Sequence, residues 1–148
     1  MEKLIGLTEK SGSTDRRGSS SPYYNRKEEP SMDSSSILES IKRLLGIAEH
    51  DEGFDPEIKD LINAEFLTLH QLGIGPEEGF SIDGPDDKWD SYTDSLHVLD
   101  AVRQFIYLRV RLVFDPPASS VVADAINNRI SELEFRLNVQ AEEDADQP

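Results

Sequence analysis

The segment from Tyr107 to Asn138 constrains the fold most, because two stretches of helical character meet there at the sequence Asp115-Pro116-Pro117. Proline cannot donate a backbone hydrogen bond, and it disfavours helical geometry in the residue before it. A helix that reaches Asp115 must therefore end there, and the two prolines fix the direction in which the chain leaves. The sequence predicts two packed helices joined at a rigid corner, which is more typical of an assembly component than of an active site.

The helix before the corner is predicted to run from about Asp94 to Phe114 and to be central in the core. Its second half is apolar nearly all round and is interrupted by Arg109 and Arg111. The helix after the corner is predicted to end at Val139 and has a narrower apolar stripe. The stripe residues recur at spacings of three and four, which places them on one helix face: Val122, Ile126, Ile130, Leu133 and Leu137.

Two further helices are predicted upstream. Ser36, followed by a glutamate three residues later, matches the capping-box pattern and begins a short amphipathic helix that stops at Gly46. Asp55 is the expected N-cap of the second helix, with Pro56 at its first helical position and Gly73 as its end.

A long connection rich in glycine and proline, residues 73–94, separates the second and third helices. Phe80 and Ile82 are expected to form a brief strand, and Trp89 and Tyr92 to share one helical turn against the core. The predicted fold class is therefore all-α, a small bundle of about four helices with a long loop between helices two and three and with extended terminal tails.

The chain length allows one domain with a modest core. Residues 1–33 are expected to be an N-terminal extension that is flexible or ordered only against a partner, with Tyr23 and Tyr24 as its best anchors. Residues 34–140 form the predicted helical domain, and residues 141–148 an acidic C-terminal tail with frayed structure.

Charge is distributed unevenly along the chain. Residues 1–36 carry six basic and six acidic residues, so the formal net charge of -15 belongs to residues 37–148, with 9 basic and 24 acidic. Such a surface repels phosphate, which argues against gripping DNA or RNA and against docking on anionic membranes. Cysteine is absent, which excludes a disulfide, a thiolate zinc site and a cysteine nucleophile. No apolar run approaches the roughly 20 residues that span a bilayer.

Catalytic, cofactor-binding and metal-binding residues are not predicted. His50, His70 and His97 lie far apart in sequence without a metal-binding spacing, and the glycine-rich stretch at residues 73–79 lacks the lysine of a phosphate-binding loop. The acidic loop between residues 77 and 94 fails the EF-hand pattern. Three interpretations remain for it: a bound metal, a solvated loop, or a lining of like charge that faces DNA or a partner.

The arginines of the last two helices also allow two interpretations. They either pair with acidic residues of the same helices or contact neighbouring subunits, since these helices carry more apolar surface than a small core can cover. The arginines concerned are Arg103, Arg109, Arg111, Arg129 and Arg136, and the acidic partners are Asp100, Asp124, Glu132 and Glu134.

Several segments together resemble the head-tail connector, or adaptor, proteins of long-tailed bacteriophages. The general ones are SILESIKRLLGI at 36–47, LTLHQLGIGPEEGFSI at 67–82 and the tryptophan at 89. The more specific ones are VRLVFDPPASS and AINNRISELEFRLNVQAE within 110–142. Residues 1–31 fall outside the resemblance.

The resemblance implies a structural virion protein and not an enzyme. It implies a subunit of a ring of about twelve-fold symmetry beneath the portal protein, assembled in the host cytoplasm. The ring would extend the DNA channel without binding DNA specifically and would dock the stopper, or head-completion, protein and the tail. Expected channel or inter-ring contacts are Glu77, Glu78, Asp83, Asp86 and Asp87. Expected subunit or portal contacts are Arg109, Arg111, Arg129, Arg136, Leu137 and Val139.

A rival interpretation belongs to a different class. The acidic domain is also typical of a soluble regulator, such as a DNA mimic whose carboxylates imitate phosphates and inhibit a basic protein. Such a protein would bind its partner with strong salt dependence, whereas a connector would use mixed apolar and charged contacts.

Overall fold

The computed structural model describes residues 34–146, and these form an all-α bundle of four helices without a strand. Expectations about residues 1–33 and about the last two residues lie outside this range. The helices are α1 (Ile37–Leu44), α2 (Asp55–Gln71), α3 (Leu96–Phe114) and α4 (Ser120–Ala145), and a single 3-10 turn, η1, covers Trp89–Ser91. The predicted fold class is confirmed.

Serine side chains cap the N-termini of three of these helices. Ser36 Oγ accepts a hydrogen bond from Glu39 N at 3.2 Å, as the sequence predicted for α1. Ser95 Oγ accepts from the third backbone amide of α3, and Ser119 Oγ accepts from that of α4, both at 3.4 Å. Each serine satisfies one amide that the helix itself leaves without a partner.

The start of α2 differs from the prediction. Asp55 is the first helical residue, and the N-cap is Phe54, which makes no side-chain capping bond. Pro56 follows inside the first turn, where its missing N–H costs nothing. The Asp55 carboxylate instead lies 2.9 Å from Lys42 Nζ on α1.

Helix α3 is central, as predicted, since it packs against each of the other three helices. Its buried face consists of Leu99, Val102, Phe105, Ile106 and Val110. The α4 stripe packs on it through Ile126, Ile130, Leu133 and Leu137. The predicted fifth stripe residue, Val122, is 42 % exposed because it lies in the first turn after the corner.

The long loop is packed onto the core without forming the predicted strand. Asn63 of α2 binds the backbone of Ile82 from both sides: its Nδ2 donates to Ile82 O at 3.0 Å, and its Oδ1 accepts from Ile82 N at 2.8 Å. A side-chain amide thus takes the place of a neighbouring strand. The predicted helical turn is present as η1, and its Trp89 is fully buried and donates Nε1–H to Ser40 Oγ at 3.1 Å.

Helix α4 continues to Ala145, beyond the predicted end at Val139. The expected fraying of the acidic end is wrong for residues 141–145. Two amide-to-carboxylate hydrogen bonds, each spanning one helical turn, support the extension: Asn138 Nδ2 donates to Glu142 at 3.3 Å, and Gln140 Nε2 donates to Asp144 at 3.1 Å.

Candidate functional site

The acidic loop separates into surface residues and one structural residue. Glu77, Glu78, Asp83 and Asp86 are exposed. Asp87 is half-buried, and its Oδ2 accepts hydrogen bonds from the backbone amides of Asp83 at 2.7 Å and Gly84 at 3.3 Å. The Asp87 carboxylate therefore stabilises the turn, whereas the other four are available for contacts with other molecules.

A bound metal is one of the interpretations given above for the acidic loop. Within residues 34–146, no group of three or more His, Cys, Asp or Glu side chains is arranged to hold a metal ion. His50, His70 and His97 are all exposed, and they lie on different elements.

Arg109 is tied to its own subunit. Its Nε donates to Glu65 Oε1 of α2 at 2.7 Å, and its guanidinium lies 5.6 Å from the ring centre of Phe105. Glu65 is 44 positions away in sequence, so helical spacing could not identify this partner. Because Glu65 lies on α2, this ion pair links α2 and α3, although the Arg109 side chain remains 37 % exposed.

Arg129 and Arg136 share the carboxylate of Glu132. Arg129 Nη1 lies 2.9 Å from one oxygen and Arg136 Nη2 lies 2.8 Å from the other. The hydrogen bond from Arg129 and the charge of Arg136 hold the pKa of Glu132 below its usual value. Arg129 also reaches Gln104 of α3 at 3.2 Å, whereas Arg136 is 58 % exposed and remains available at the surface. Glu132 is thus a partner that the sequence predicted.

The three remaining predicted contact residues have different environments. Leu137 is 2 % exposed and belongs to the subunit's own core, so its side chain is not on the surface of the folded chain. Val139 is half-buried on α4. Arg111 is partly exposed and lines a cleft of about 270 Å³ with Leu44 and Tyr107.

Several exposed apolar side chains lie at the end of the bundle where the Asp-Pro-Pro corner lies, whereas Leu67, Leu96 and Phe135 are exposed elsewhere. Val113 is 65 % exposed at the end of α3, and Val121 is 75 % exposed at the start of α4. Phe54 is 45 % exposed and meets Phe114 edge to face, with ring centres 5.3 Å apart. We call this surface the corner end, and it consists of Leu44, Phe54, Val113, Phe114, Val121 and Val122.

Lys42 is a structurally important residue that the sequence analysis missed. Its side chain is fully buried, with Nζ 2.9 Å from Asp55, 3.6 Å from Glu39 and 3.2 Å from the carbonyl oxygen of Glu49. Burial lowers the pKa of Lys42, but the hydrogen bond to Asp55 and the two negative charges outweigh it, so its pKa is raised. A sequence signal existed, because Lys42 follows the buried Leu38 by four residues and therefore shares its helix face.

Comparison with known proteins identifies the class. A family model described as phage connector protein matches residues 37–144, which include nearly all of the four-helix bundle. The chain belongs to this family and is a head-tail connector protein of a bacteriophage. No curated protein matches the chain. No solved structure matches it. None of the helices in the described range is long and apolar enough to cross a membrane.

Proposed function

We propose that this chain is the subunit of a ring that lies beneath the portal protein at the head-tail junction, extends the DNA channel and docks the stopper protein or the tail. The observation that carries the proposal is the family match, because it covers the helices and the corner together. Assembly takes place in the host cytoplasm, and the mature location is the virion. The role is structural and requires no catalytic group.

The corner end supports a role in assembly. Val113 and Val121 are 65 % and 75 % exposed. Covering apolar side chains with a partner stabilises the complex by about 25 cal/mol per Å² of apolar area that is buried. The corner also restricts the angle between α3, which carries Val113, and α4, which carries Val121. We assign the corner end to contact with a neighbouring virion protein.

The charge of the bundle supports a channel role. Exposed Glu77, Glu78, Asp83 and Asp86 stand on a loop that is held to α2 by Asn63. A wall of fixed negative charge repels phosphate, so DNA can pass along it without being retained. We assign these four residues to the channel wall or to the contact with the next ring, and Asp87 to the integrity of the loop.

Among the predicted subunit or portal contacts, Arg111, Arg136 and Val139 are the residues whose surroundings leave them most available. Arg109 and Arg129 already bind Glu65 and Gln104 within the subunit, and Leu137 is in the core. Arginine at the rim of an interface gives orientation and association rate through charge complementarity.

Complementation of a phage that lacks this gene tests the proposal. The double variant Val113→Asp/Val121→Asp places two charges in the corner end and is expected to reduce the yield of infectious particles strongly. The control Asn128→Asp/Ser131→Asp adds the same two charges at exposed positions of α4 and is expected to keep the yield. Normal yield from the first variant, with normal helix content by circular dichroism, would refute the assignment of the corner end.

A further inference from the structure

A groove of about 560 Å³ lies between the C-terminal part of α4 and the part of the long loop that leads into α3. Among the described residues, its wall contains the carboxylates of Asp90, Asp94 and Asp144 and no lysine or arginine. Asp90 and Asp94 make no ion pair within residues 34–146, and Asp144 accepts a hydrogen bond from the neutral amide of Gln140. We call this surface the acidic groove.

The arginines of the neighbouring cleft are engaged within the subunit. Arg129 and Arg136 line a cleft of about 290 Å³ that shares Leu137 and Gln140 with the acidic groove. Both guanidinium groups bind the carboxylate of Glu132, at 2.9 Å and 2.8 Å. Their charge is therefore partly balanced on their own helix, whereas the carboxylates of the groove have no cationic partner.

A buried hydroxyl without a partner lies in the wall of the acidic groove. Tyr92 is 5 % exposed, and its Oη has no hydrogen-bond partner in the range that the structure describes. The hydroxyl lies against Gly75, another residue of the wall, where an added Cβ atom would be only 2.7 Å from Oη. A buried donor left without an acceptor is costly, so the wall offers a hydrogen bond that a carbonyl oxygen of an occupant would complete.

Unpaired positive charge lies beside the corner end. Arg43 is exposed next to Leu44, and Arg111 is partly exposed and lines a cleft with Leu44. Neither arginine makes an ion pair within the part of the chain that the structure describes, and Asp115, in the same cleft, is not within ion-pair distance of Arg111. The corner end therefore combines exposed apolar side chains with cations that have no partner in the bundle.

The acidic groove and the corner end lie at opposite ends of the bundle. The groove includes Val98 near the start of α3 and Asp144 near the end of α4, whereas the corner joins the end of α3 to the start of α4. With 19 residues, α3 is about 28 Å long. The corner end of a subunit therefore cannot reach its own groove, and the two surfaces can meet only between copies.

We propose that the acidic groove of one copy receives the corner end of a second copy, with Arg43 and Arg111 against Asp90 and Asp94. Arginine and carboxylate form the strongest hydrogen-bonded ion pairs, and each charge here lacks a partner in its own bundle. A contact between unlike surfaces repeats from copy to copy, and it closes a ring when the rotation allows. The inference deepens the proposed ring and rests on that proposal for the place of the contact in the virion.

Apolar surface is complementary as well. Pro76, Val98 and Ala141 are half-buried in the wall of the groove and remain partly open to an occupant. The corner end carries Val113 and Val121, which are mostly exposed. Association would cover both sets, and the burial of apolar area would add to the ion pairs.

Disulfide trapping between two single-cysteine chains tests the contact. The chain contains no cysteine, so Ser91→Cys places a unique thiol in the wall of the groove, and Ser120→Cys places one at the exposed first residue of α4. We call these the groove chain and the corner chain, and one of them carries a short tag so that mixed and self dimers differ in mass. A disulfide requires Cα atoms within about 7 Å, so the mixed dimer is expected to predominate over both self dimers.

A matched mixture provides the control. Ser131→Cys replaces the corner chain and places the thiol at an exposed position about 16 Å farther along α4. This mixture is expected to give only the mixed dimer that random collision produces. Equal yields of mixed dimer from the two mixtures would overturn the proposal. Neither mixture contains the portal protein, so the result is independent of whether the chain joins a portal.

Charge reversal tests the ionic contact. Arg111→Glu in the corner chain is expected to remove most of the mixed dimer, whereas Lys88→Glu, at another exposed cation without an ion pair, is expected to leave it. Asp94→Arg in the groove chain is expected to remove it too, and Asp60→Arg on exposed α2 is the control. Combining Asp94→Arg in the groove chain with Arg111→Glu in the corner chain is expected to restore the dimer. Failure of this restoration, with normal helix content in both chains, would overturn the assigned pairing.

The Tyr92 hydroxyl provides a test that does not alter charge. Tyr92→Phe in the groove chain removes a hydroxyl that has no partner within the described bundle, so the midpoint of thermal unfolding is expected to stay equal or to rise. The yield of mixed dimer is expected to fall, because the occupant loses a hydrogen bond. An unchanged yield would overturn the role of Tyr92 in the contact.

Discussion

Lys42 and Asp55 form a contact of 2.9 Å between α1 and the first turn of α2, with the lysine fully buried and the aspartate 20 % exposed at its side chain. Their segments are separated by the turn at residues 45–54, whose Glu49 carbonyl oxygen also accepts from Lys42 Nζ at 3.2 Å. One ammonium group thus joins two helices and the turn between them. The lysine also places a charge inside the core, which is tolerated because its three partners surround it.

Removal of one member of this pair is expected to destabilise the bundle. Asp55→Asn leaves a buried ammonium with weaker partners, and we expect a loss of about 2–3 kcal/mol in the free energy of unfolding, somewhat below the range for fully buried pairs because Asp55 is partly exposed. Urea denaturation of the variant measures this. The control Arg43→Met removes an exposed charge on the same helix and is expected to change stability by less than about 0.5 kcal/mol. An equal effect of both variants would contradict the account.

The raised pKa of Lys42 predicts a decline of stability at high pH. Its charged form is favoured by folding, so this contribution is complete below the unfolded pKa of about 10.4 and is lost as pH rises through the higher folded pKa. Denaturation from pH 8 to 11 is expected to show a smaller decline in Lys42→Met than in the unaltered chain. Burial also raises the pKa of Tyr92, which gives a loss of the same sign and remains in the variant. Parallel declines in the two proteins would exclude a role for Lys42.

The corner prolines are expected to contribute to stability and assembly. Pro116→Ala/Pro117→Ala increases the freedom of the unfolded chain and is expected to lower the free energy of unfolding by about 1–2 kcal/mol. Particle yield should fall as well, because the angle between α3 and α4 is less restricted. Pro85→Ala, in the exposed part of the long loop, is the control for yield. Normal particle yield from the double variant would count against a role of the corner in assembly.

The exposed carboxylates of the acidic loop are expected to interact with other molecules and not to stabilise the fold. Neutralising Glu77, Glu78, Asp83 and Asp86 to their amides should leave thermal unfolding nearly unchanged but slow DNA passage or impair docking of the next protein. The measurements are packaging and ejection by complemented phage. Wild-type rates for both would remove this loop from the mechanism.

Asp87 lies in the same loop, but its replacement is expected to lower the stability of the fold. Asp87→Ala removes the acceptor for two backbone amides and is expected to cost about 1–3 kcal/mol in unfolding free energy. A change as small as that of the four-residue variant would contradict its structural role.

The helices could be predicted well from the sequence because the residues that begin and end a helix act over short sequence distances. Serine caps, the glycine after α1 and the proline corner each act within one turn, and the apolar spacing identified the central α3 and the packed face of α4. Gly46 and Gly73 have φ of 85°, the left-handed geometry that ends a helix.

The remaining features depend on contacts between residues far apart in sequence. Asn63 replaces a strand partner for Ile82 at a separation of 19 positions, and Glu65 binds Arg109 at a separation of 44. Asp87 could not be distinguished from neighbouring acids because only its position relative to backbone amides makes it structural. Leu137 was assigned to a subunit or portal contact through the family resemblance, although the apolar spacing had also placed it on the helix face that packs in the core.

Electron microscopy of this chain mixed with the portal protein of the same phage tests the central claim most directly. The account predicts an added ring on the narrow end of the portal, with the symmetry axis along the DNA channel and the acidic loops at the channel wall or the next-ring face. A chain that remains monomeric and leaves the portal bare would contradict the ring proposal. That result would turn attention to an acidic regulator that binds a basic protein.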